Sequence, residues 1–458
     1  VSIQGGREVE ESSQKVRKRL KPSQVMVIGF ALVIIIGAIL LTLPISSATG
    51  ERLSFADALF TSTSAVCVTG LVVVDTVTYF SLFGQVVILL LIQVGGLGFM
   101  TMATLVALLI GKRISLKSRL LIQESLGKSE ISGVVRITKY VVYFTIFMEG
   151  LGAFLLSLRF IPLYGFSKGL YFSIFHSISA FCNAGFDLFG GFRSLTPFVE
   201  DPLVILTIMG LIIIGGLGFS VIFDILQNRS FKKISLNSKL VLTLTGILLF
   251  VGFVFVFAFE YANPQTIGNL SFKGKLLASA FQSVTPRTAG YNALLIDQLT
   301  MPTLLLTMIF MFIGGSPGST AGGIKTTTFG LVILSMISVI KGDPDSVIFR
   351  RKVARDATMR ALAVLGVAFA IVIMMVMILS ISEKQVDFMV ILFEVVSAFG
   401  TVGLSMGLTT NLTVIGKLAL TFTMFMGRIG VLTFVIAISN RQQGFKALLH
   451  YPEGKINV

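Results

Sequence analysis

Tryptophan is absent from the 458 residues, and there are only two cysteines and two histidines. Cys67 and Cys182 sit in apolar or glycine-flanked stretches, with neither a disulfide framework nor metal-ligand spacing around them. Two histidines are too few for a metal site of their own. Charge is also scarce, at 13% of residues against about 25% in soluble domains. With 54% hydrophobic residues, the chain carries more apolar sequence than a soluble core absorbs. It reads as an integral membrane protein in contact with a lipid bilayer. Its apolar runs are too long for barrel strands, which alternate over about ten residues. Helices must therefore satisfy the backbone in lipid.

The net charge is +15. In a soluble protein that would suggest nucleic acid; here the basic residues read as topology markers, and no nucleic-acid partner is expected. Ile28–Leu43 follows a polar tail without a small-residue cleavage site and reads as a first membrane helix rather than a removed signal peptide.

Four stretches resemble one another: FADALFTSTSAVCVTGL, LYFSIFHSISAFCNAGF, LLASAFQSVTPRTAGY and FMVILFEVVSAFGTVGL. Each is a short apolar element with an aromatic and a hydroxyl residue, then a polar turn ending in Gly70, Gly185, Gly290 or Gly403. Spanning-length apolar runs flank every copy, near 25–45, 140–161, 239–261 and 361–381 before it, and 80–110, 202–228, 301–340 and 413–440 after it. The short elements suit re-entrant helices, and eight spanning helices are expected. The fold expected is an all-α polytopic membrane protein. It has four covalently linked repeats of outer helix, pore helix and inner helix (M1–pore helix–M2) around a pseudo-fourfold central pore. The repeats cover 25–115, 136–230, 238–341 and 358–441, between tails 1–24 and 442–458.

Basic residues gather in the tails and in the linkers between repeats, at Lys112, Arg113, Lys117, Arg119, Arg229, Lys232, Lys233 and along RRKVAR. Acids such as Glu51, Asp75, Asp187, Glu200, Asp201, Glu260 and Asp297 mark the other ends. The positive-inside rule puts linkers and both termini in the cytoplasm and turns the four polar loops outward.

Non-helical backbone at membrane depth survives only where protein or a water-filled path covers it. Four such turns suggest one pore lined by the carbonyls of Val68, Thr69, Gly70; Asn183, Ala184, Gly185; Thr288, Ala289, Gly290; and Thr401, Val402, Gly403. Such carbonyls replace the hydration shell of a monovalent cation such as K+. No acidic ring lines the turns, which argues against a divalent-cation filter. The competing explanation is that the glycines only let helices approach closely.

The helices after the turns share a Gly-x-x-Gly frame: Gly95/Gly98, Gly215/Gly218, Gly315/Gly318 and Gly427/Gly430. Inside the last frame stands Arg428, amid apolar helix. A charge there needs a cavity or a partner; it is either an electrostatic barrier at the gate or a structural partner of an acid such as Glu394. In the third repeat the frame runs into FIGGSPGSTAGGIKTTT. Gly314, Gly315, Ser316, Pro317, Gly318, Ser319, Thr320, Ala321, Gly322, Gly323 and Lys325 would break the helix, with Ser316, Ser319, Thr320 and Lys325 wetting the break. The segment is placed to obstruct the path and move aside. It superficially matches the phosphate-loop pattern, but its lysine follows isoleucine and no strand precedes it, so nucleotide binding on this chain is excluded.

The turns CVTGL, CNAGF, TPRTAGY and GTVGL, the GGLGF pairs, the glycine-rich third segment and MGRIG resemble the Trk/Ktr/HKT superfamily of potassium transporters. SVTPRTAGYN and SAFGTVGLSMGLT are most similar to the membrane subunit of bacterial Ktr systems. The resemblance covers about residues 25–445. It implies transport of K+, in some members stimulated by Na+, across the bacterial plasma membrane. It also implies an intramembrane gating loop at 314–325 and a gate arginine at Arg428. The protein would be a homodimer seated on a cytosolic octameric ring of RCK-type subunits that bind ATP or ADP. No covalent cofactor is implied. In plant relatives a serine at the first filter glycine goes with Na+ transport; Gly70 holds that place here and favours K+. A Na+-preferring member of the superfamily and a secondary transporter of organic solutes remain the alternatives. Four parallel units speak against the latter, which usually shows two inverted repeats. The sequence shows no sign of an enzyme.

Overall fold

The computed structural model describes residues 22–98, 134–342, 346–349 and 351–438. Residues 1–21, the basic stretch 112–119 and the tail 442–458 lie outside them. Among the described residues the sole sheet is a hairpin, Val347–Ile348 paired with Arg351–Lys352.

A long outer helix, a short helix and an inner helix follow one another four times. The outer helices are Pro22–Thr42, Val134–Tyr164, Leu236–Glu260 and Arg355–Ser382. All four are long and apolar enough to cross a bilayer, and only 28% to 33% of each apolar stretch is buried against protein. Leu32, Phe147, Phe250 and Met377 point outward from them, as lipid-facing side chains do. The short helices are Phe55–Val66, Phe166–Phe181, Phe272–Val284 and Phe388–Gly400. They fill the centre: Phe60, Phe175, Phe281 and Phe393 are fully buried.

The inner helices begin as Leu82–Leu97, Pro202–Leu217, Met301–Phe312 and Val414–Ile429. The third breaks at its glycine-rich segment, as expected, and the second and fourth depart from the unbroken spans expected of them. The second glycine of each frame has positive φ: Gly98 at 80°, Gly218 at 93°, Gly318 at 67° and Gly430 at 89°. That conformation ends a right-handed helix, and glycine adopts it without a Cβ penalty. At Gly218 the chain turns by 92° into Phe219–Asn228. After Gly430 it resumes as Val431–Ile438. By length and composition the described residues hold four unbroken spans, or five if the bent pair counts as one.

Three of the four inner helices are capped by a side chain at their starts. Ser81 Oγ accepts from Gly84 N–H (3.3 Å), Asp201 from Leu203 N–H (3.0 Å) and Thr413 Oγ1 from Gly416 N–H (3.1 Å). Two outer helices add a buried glutamate: Glu260 accepts from Thr300 N–H (2.8 Å) and Glu383 from Thr413 N–H (3.2 Å). Each carboxylate thus sits at the positive end of a helix.

Every inner helix packs against the short helix of the next set, and the fourth packs against the first. Tyr171 O–H donates to Gln85 (3.1 Å) across the first such seam. Lys417 and Asp57 pair at 2.6 Å across the last. Chain order is therefore spatial order around a closed circle.

Candidate functional site

Beyond each short helix the backbone adopts one pattern. Val68 and Gly70, Asn183 and Gly185, Thr288 and Gly290, and Thr401 and Gly403 have positive φ, and the residue between each pair does not. Four of these are not glycine, and three of the four, Val68, Thr288 and Thr401, carry a β-branched side chain that resists this conformation. Alternating hand along three residues turns successive carbonyls to the same side.

The four segments meet in a ring. A Cβ on Gly70 would lie 2.5 Å from the Ala184 carbonyl oxygen, one on Gly185 2.8 Å from that of Ala289, and one on Gly290 2.5 Å from that of Val402. One on Gly403 would collide with the Thr69 carbonyl and close the circle. All four segments read from the sequence are thereby brought together. The short helices point their C-terminal, partially negative ends at this ring, which favours a cation in its middle.

A hydroxyl at the foot of each short helix holds its segment, a feature the sequence reading missed. Gly70 N–H donates to Ser64 Oγ (3.0 Å) and Gly403 N–H to Ser397 Oγ (3.1 Å). Ser179 Oγ donates to the Phe186 carbonyl (2.8 Å), and Thr285 Oγ1 to that of Tyr291. The available signal was a Ser or Thr six residues before each glycine, except that Thr285 stands five before Gly290 and breaks the register. The Asn183 carboxamide reaches Thr288 Oγ1 in the next segment (3.3 Å) and, with its nitrogen turned inward, donates to the Ala180 and Ile212 carbonyls (3.1 and 3.2 Å).

Below the ring, Gly314–Lys325 forms a loop with its ends pinned together. Ile313 and Ile324 bridge, and Thr326 N–H donates to the Gly315 carbonyl (3.1 Å). On one side the loop is bonded to the second inner helix: Ser316 N–H to Gly216 (3.1 Å), Thr320 N–H to Gly215 (3.3 Å), and Phe219 N–H to Gly318 (3.0 Å). On the other it touches the fourth set, with Gly323 N–H on the Gly427 carbonyl (3.3 Å). A Cβ on Gly322 would collide with Thr401, and one on Gly323 would lie 3.3 Å from Gly400. The loop crosses directly under the fourth ring segment.

Its polar side chains are drier than the sequence suggests. Ser316 and Thr320 are fully buried. Ser316 meets Thr326 (3.2 Å), Thr320 Oγ1 donates to Phe181 (3.3 Å), Ser319 Oγ to Ser316 (2.6 Å) and Lys325 Nζ to Ala321 (2.7 Å). Three of the four donate to backbone carbonyls, and that of Phe181 is an unpaired end of the second short helix.

Arg428 donates to the Thr320 carbonyl of the loop and to the Gly95 carbonyl of the first inner helix. It does not pair with Glu394, which accepts from Ser405 (2.9 Å) and Thr409 on the outer side. The arginine thus ties the loop to the first and fourth sets.

Outside the ring is a cavity of about 560 Å³ lined by Gly70, Gly185, Gly290 and Gly403 and by Asp75 and Asp187. Burial pushes the Asp187 carboxyl up to about 6; Phe189 N–H opposes the shift and nearby Asp75 adds to it. The cavity, the ring and the loop lie in series.

Fold and site together define an all-helical, multi-pass membrane protein of the ion-handling class. The chain matches the family model TrkH, described as a cation transport protein, over residues 1–446, and it belongs to that family. It is a transport protein and not an enzyme. It is 49% identical over 438 residues to the Ktr system potassium uptake protein B of Bacillus subtilis, covering 96% of this chain and 97% of that one. It is 44% identical over 446 residues to the potassium/sodium uptake protein NtpJ of Enterococcus hirae, covering 97% and 98%. The crystal structure of the potassium transporter TrkH from Vibrio parahaemolyticus shares its fold, with a TM-score of 0.73 at 17% identity over 93% of this chain and 86% of that one.

Proposed function

We propose that this chain is the membrane subunit of a Ktr-type potassium uptake system. Four M1–pore helix–M2 repeats surround a pseudo-fourfold pore. K+ sheds water at the ring and is held by the carbonyls of Val68–Gly70, Asn183–Gly185, Thr288–Gly290 and Thr401–Gly403. The loop 314–325, tied by Arg428, closes the path beneath. The observation that carries this reading is the circle in which each ring glycine faces its neighbour's carbonyl. Likeness to the Bacillus subtilis potassium uptake protein supports the choice of ion.

The subunit acts as a homodimer in the bacterial plasma membrane with both termini in the cytoplasm. A separate RCK-type ring, carrying ATP or ADP, sets the position of the loop. No nucleotide is held by this chain.

A second reading, transport of Na+ beside K+, is favoured by the likeness to a protein named for both ions. The test is K+ uptake with Na+ competition in cells lacking their own K+ uptake systems, with and without a co-expressed ring subunit. Uptake at low K+ that Na+ barely inhibits supports the first reading. Equal transport of both ions supports the second. No uptake in either arm by a well-expressed chain refutes both.

A further inference from the structure

The ring is not alike on all sides, and the difference lies at its outer edge. In the first and fourth segments the foot hydroxyl accepts from the glycine N–H (Ser64 and Ser397). In the second and third it donates to the carbonyl of the residue after the glycine (Ser179 and Thr285). The second segment has another donor. Tyr291, fully buried and belonging to the third segment, donates its O–H to the same Phe186 carbonyl (2.9 Å).

A carbonyl oxygen has two lone pairs. At Phe186 both are engaged, one by Ser179 Oγ and one by Tyr291 O–H. That oxygen cannot turn to a cation without giving up a buried hydrogen bond. The residues beyond it are fixed as well: Leu188 N–H donates to His176 Nε2 (3.2 Å), and Leu195 N–H to the Asn292 carbonyl of the third segment (2.9 Å).

We infer that Ser179 and Tyr291 are positioning residues for ion selection, acting as a paired grip that holds the Phe186 carbonyl off the ion path. The inference rests on reading the ring as a selectivity filter. On that reading the level of Leu71, Phe186, Tyr291 and Leu404 offers no four-oxygen cage. A cation meets its first complete set of carbonyls one residue deeper, at the glycines. The grip also fixes the second segment against the third, so the spacing of the glycine carbonyls is held from outside.

The experiment compares Tyr291→Phe, Ser179→Ala and the double variant of the full chain. In cells lacking their own K+ uptake, the readout is the Na+ concentration that halves K+ uptake. Each single variant keeps one donor and should stay within about twofold of the parent chain, while the double should need about 3- to 10-fold less Na+, the factor a lost neutral hydrogen bond gives. A double variant with unchanged competition overturns the inference. So does a single variant that already shows the full effect.

A second readout is the melting temperature of the purified chain in K+ and in Na+, since a bound ion stabilises the folded state. The inference expects the gap between the two ions to shrink in the double variant. A fall that is equal in both ions means a structural role only and overturns it. Should the double variant fail to accumulate, Thr285→Val loosens the matching grip on Tyr291 and should shift Na+ competition the same way; parental competition there also overturns the inference. A parent chain that shows neither K+ uptake nor stabilisation by K+ refutes the filter reading itself. A K+-selective parent with an unaltered double refutes the grip alone.

Discussion

The ring and the loop beneath it are both non-helical backbone buried in a helical protein, but they are fastened differently. Each ring segment is three residues long and rooted in a helix end, a hydroxyl and a neighbouring carbonyl wall. The loop is four times as long, rich in glycine, and held by N–H bonds to carbonyls of other helices and by side-chain bonds of its own. The loop's bonds could each be remade elsewhere, and glycine re-bends at little cost. On the proposed reading, one region keeps its geometry and the other exchanges it.

The sharpest way to break that contrast is to disturb the rigid part. Gly403→Ala places a methyl against the Thr69 carbonyl at a φ of 94°. K+ uptake should fall by at least about tenfold, since left-handed backbone alone costs roughly 1–2 kcal/mol in a non-glycine residue. Parental uptake by this variant would mean that the ring is not the ion path. Gly290→Ser should act similarly and raise inhibition by Na+.

Removing Gly315–Gly323 attacks the loop instead. Basal cation flux should rise, by about tenfold if the loop is a barrier of the size of one or two buried hydrogen bonds, while K+ stays preferred over Na+. Unchanged flux in vesicles containing the purified variant sinks the gate. Arg428→Ala should do the same more weakly, because it cuts the bonds to Thr320, Gly95 and Gly96 and leaves the loop's other contacts in place. Flux measured with and without the ring subunit would show whether the arginine sets the resting position.

The smallest effect expected is at the outer mouth. Asp187 gains a proton as pH falls through about 6, so the cavity loses negative charge on the acid side. Uptake at limiting K+ should therefore drop modestly below that pH, and Asp187→Asn should abolish the step. A step that persists in the variant assigns it to another group.

Much of this was legible in the sequence because the four turns carry the same residues at near-equal intervals. Gly70, Gly185, Gly290 and Gly403 could be aligned by eye. The hydroxyl feet were not, since Thr285 is one residue out of register and serine in an apolar helix has many uses. The breaks at Gly218 and Gly430 were also hidden. A Gly-x-x-Gly frame looks the same whether its glycines serve close approach or a left-handed bend, and here they divide the tasks. Gly215 and Gly427 press against the carbonyls of Phe181 and Phe399, and the second glycine of each frame bends. Gly315 has no such seat and meets Ala321 of its own loop instead. The dryness of Ser316 and Thr320 was illegible for a related reason. Their partners, Thr326 and the Phe181 carbonyl, are set only once the loop has folded back against the second set.

The closed circle of inner and short helices comes from one continuous chain, and that has a consequence for what can be varied. In an assembly of four identical subunits, any change is made four times. Four copies of Gly314–Lys325 would compete for the space under one ring. Four arginines at the position of Arg428 would repel one another across it. A single chain escapes this arithmetic: it places one loop and one buried tyrosine in the third set and one arginine in the fourth. Symmetry then survives only where the ion needs it, and the remaining positions are free to specialise.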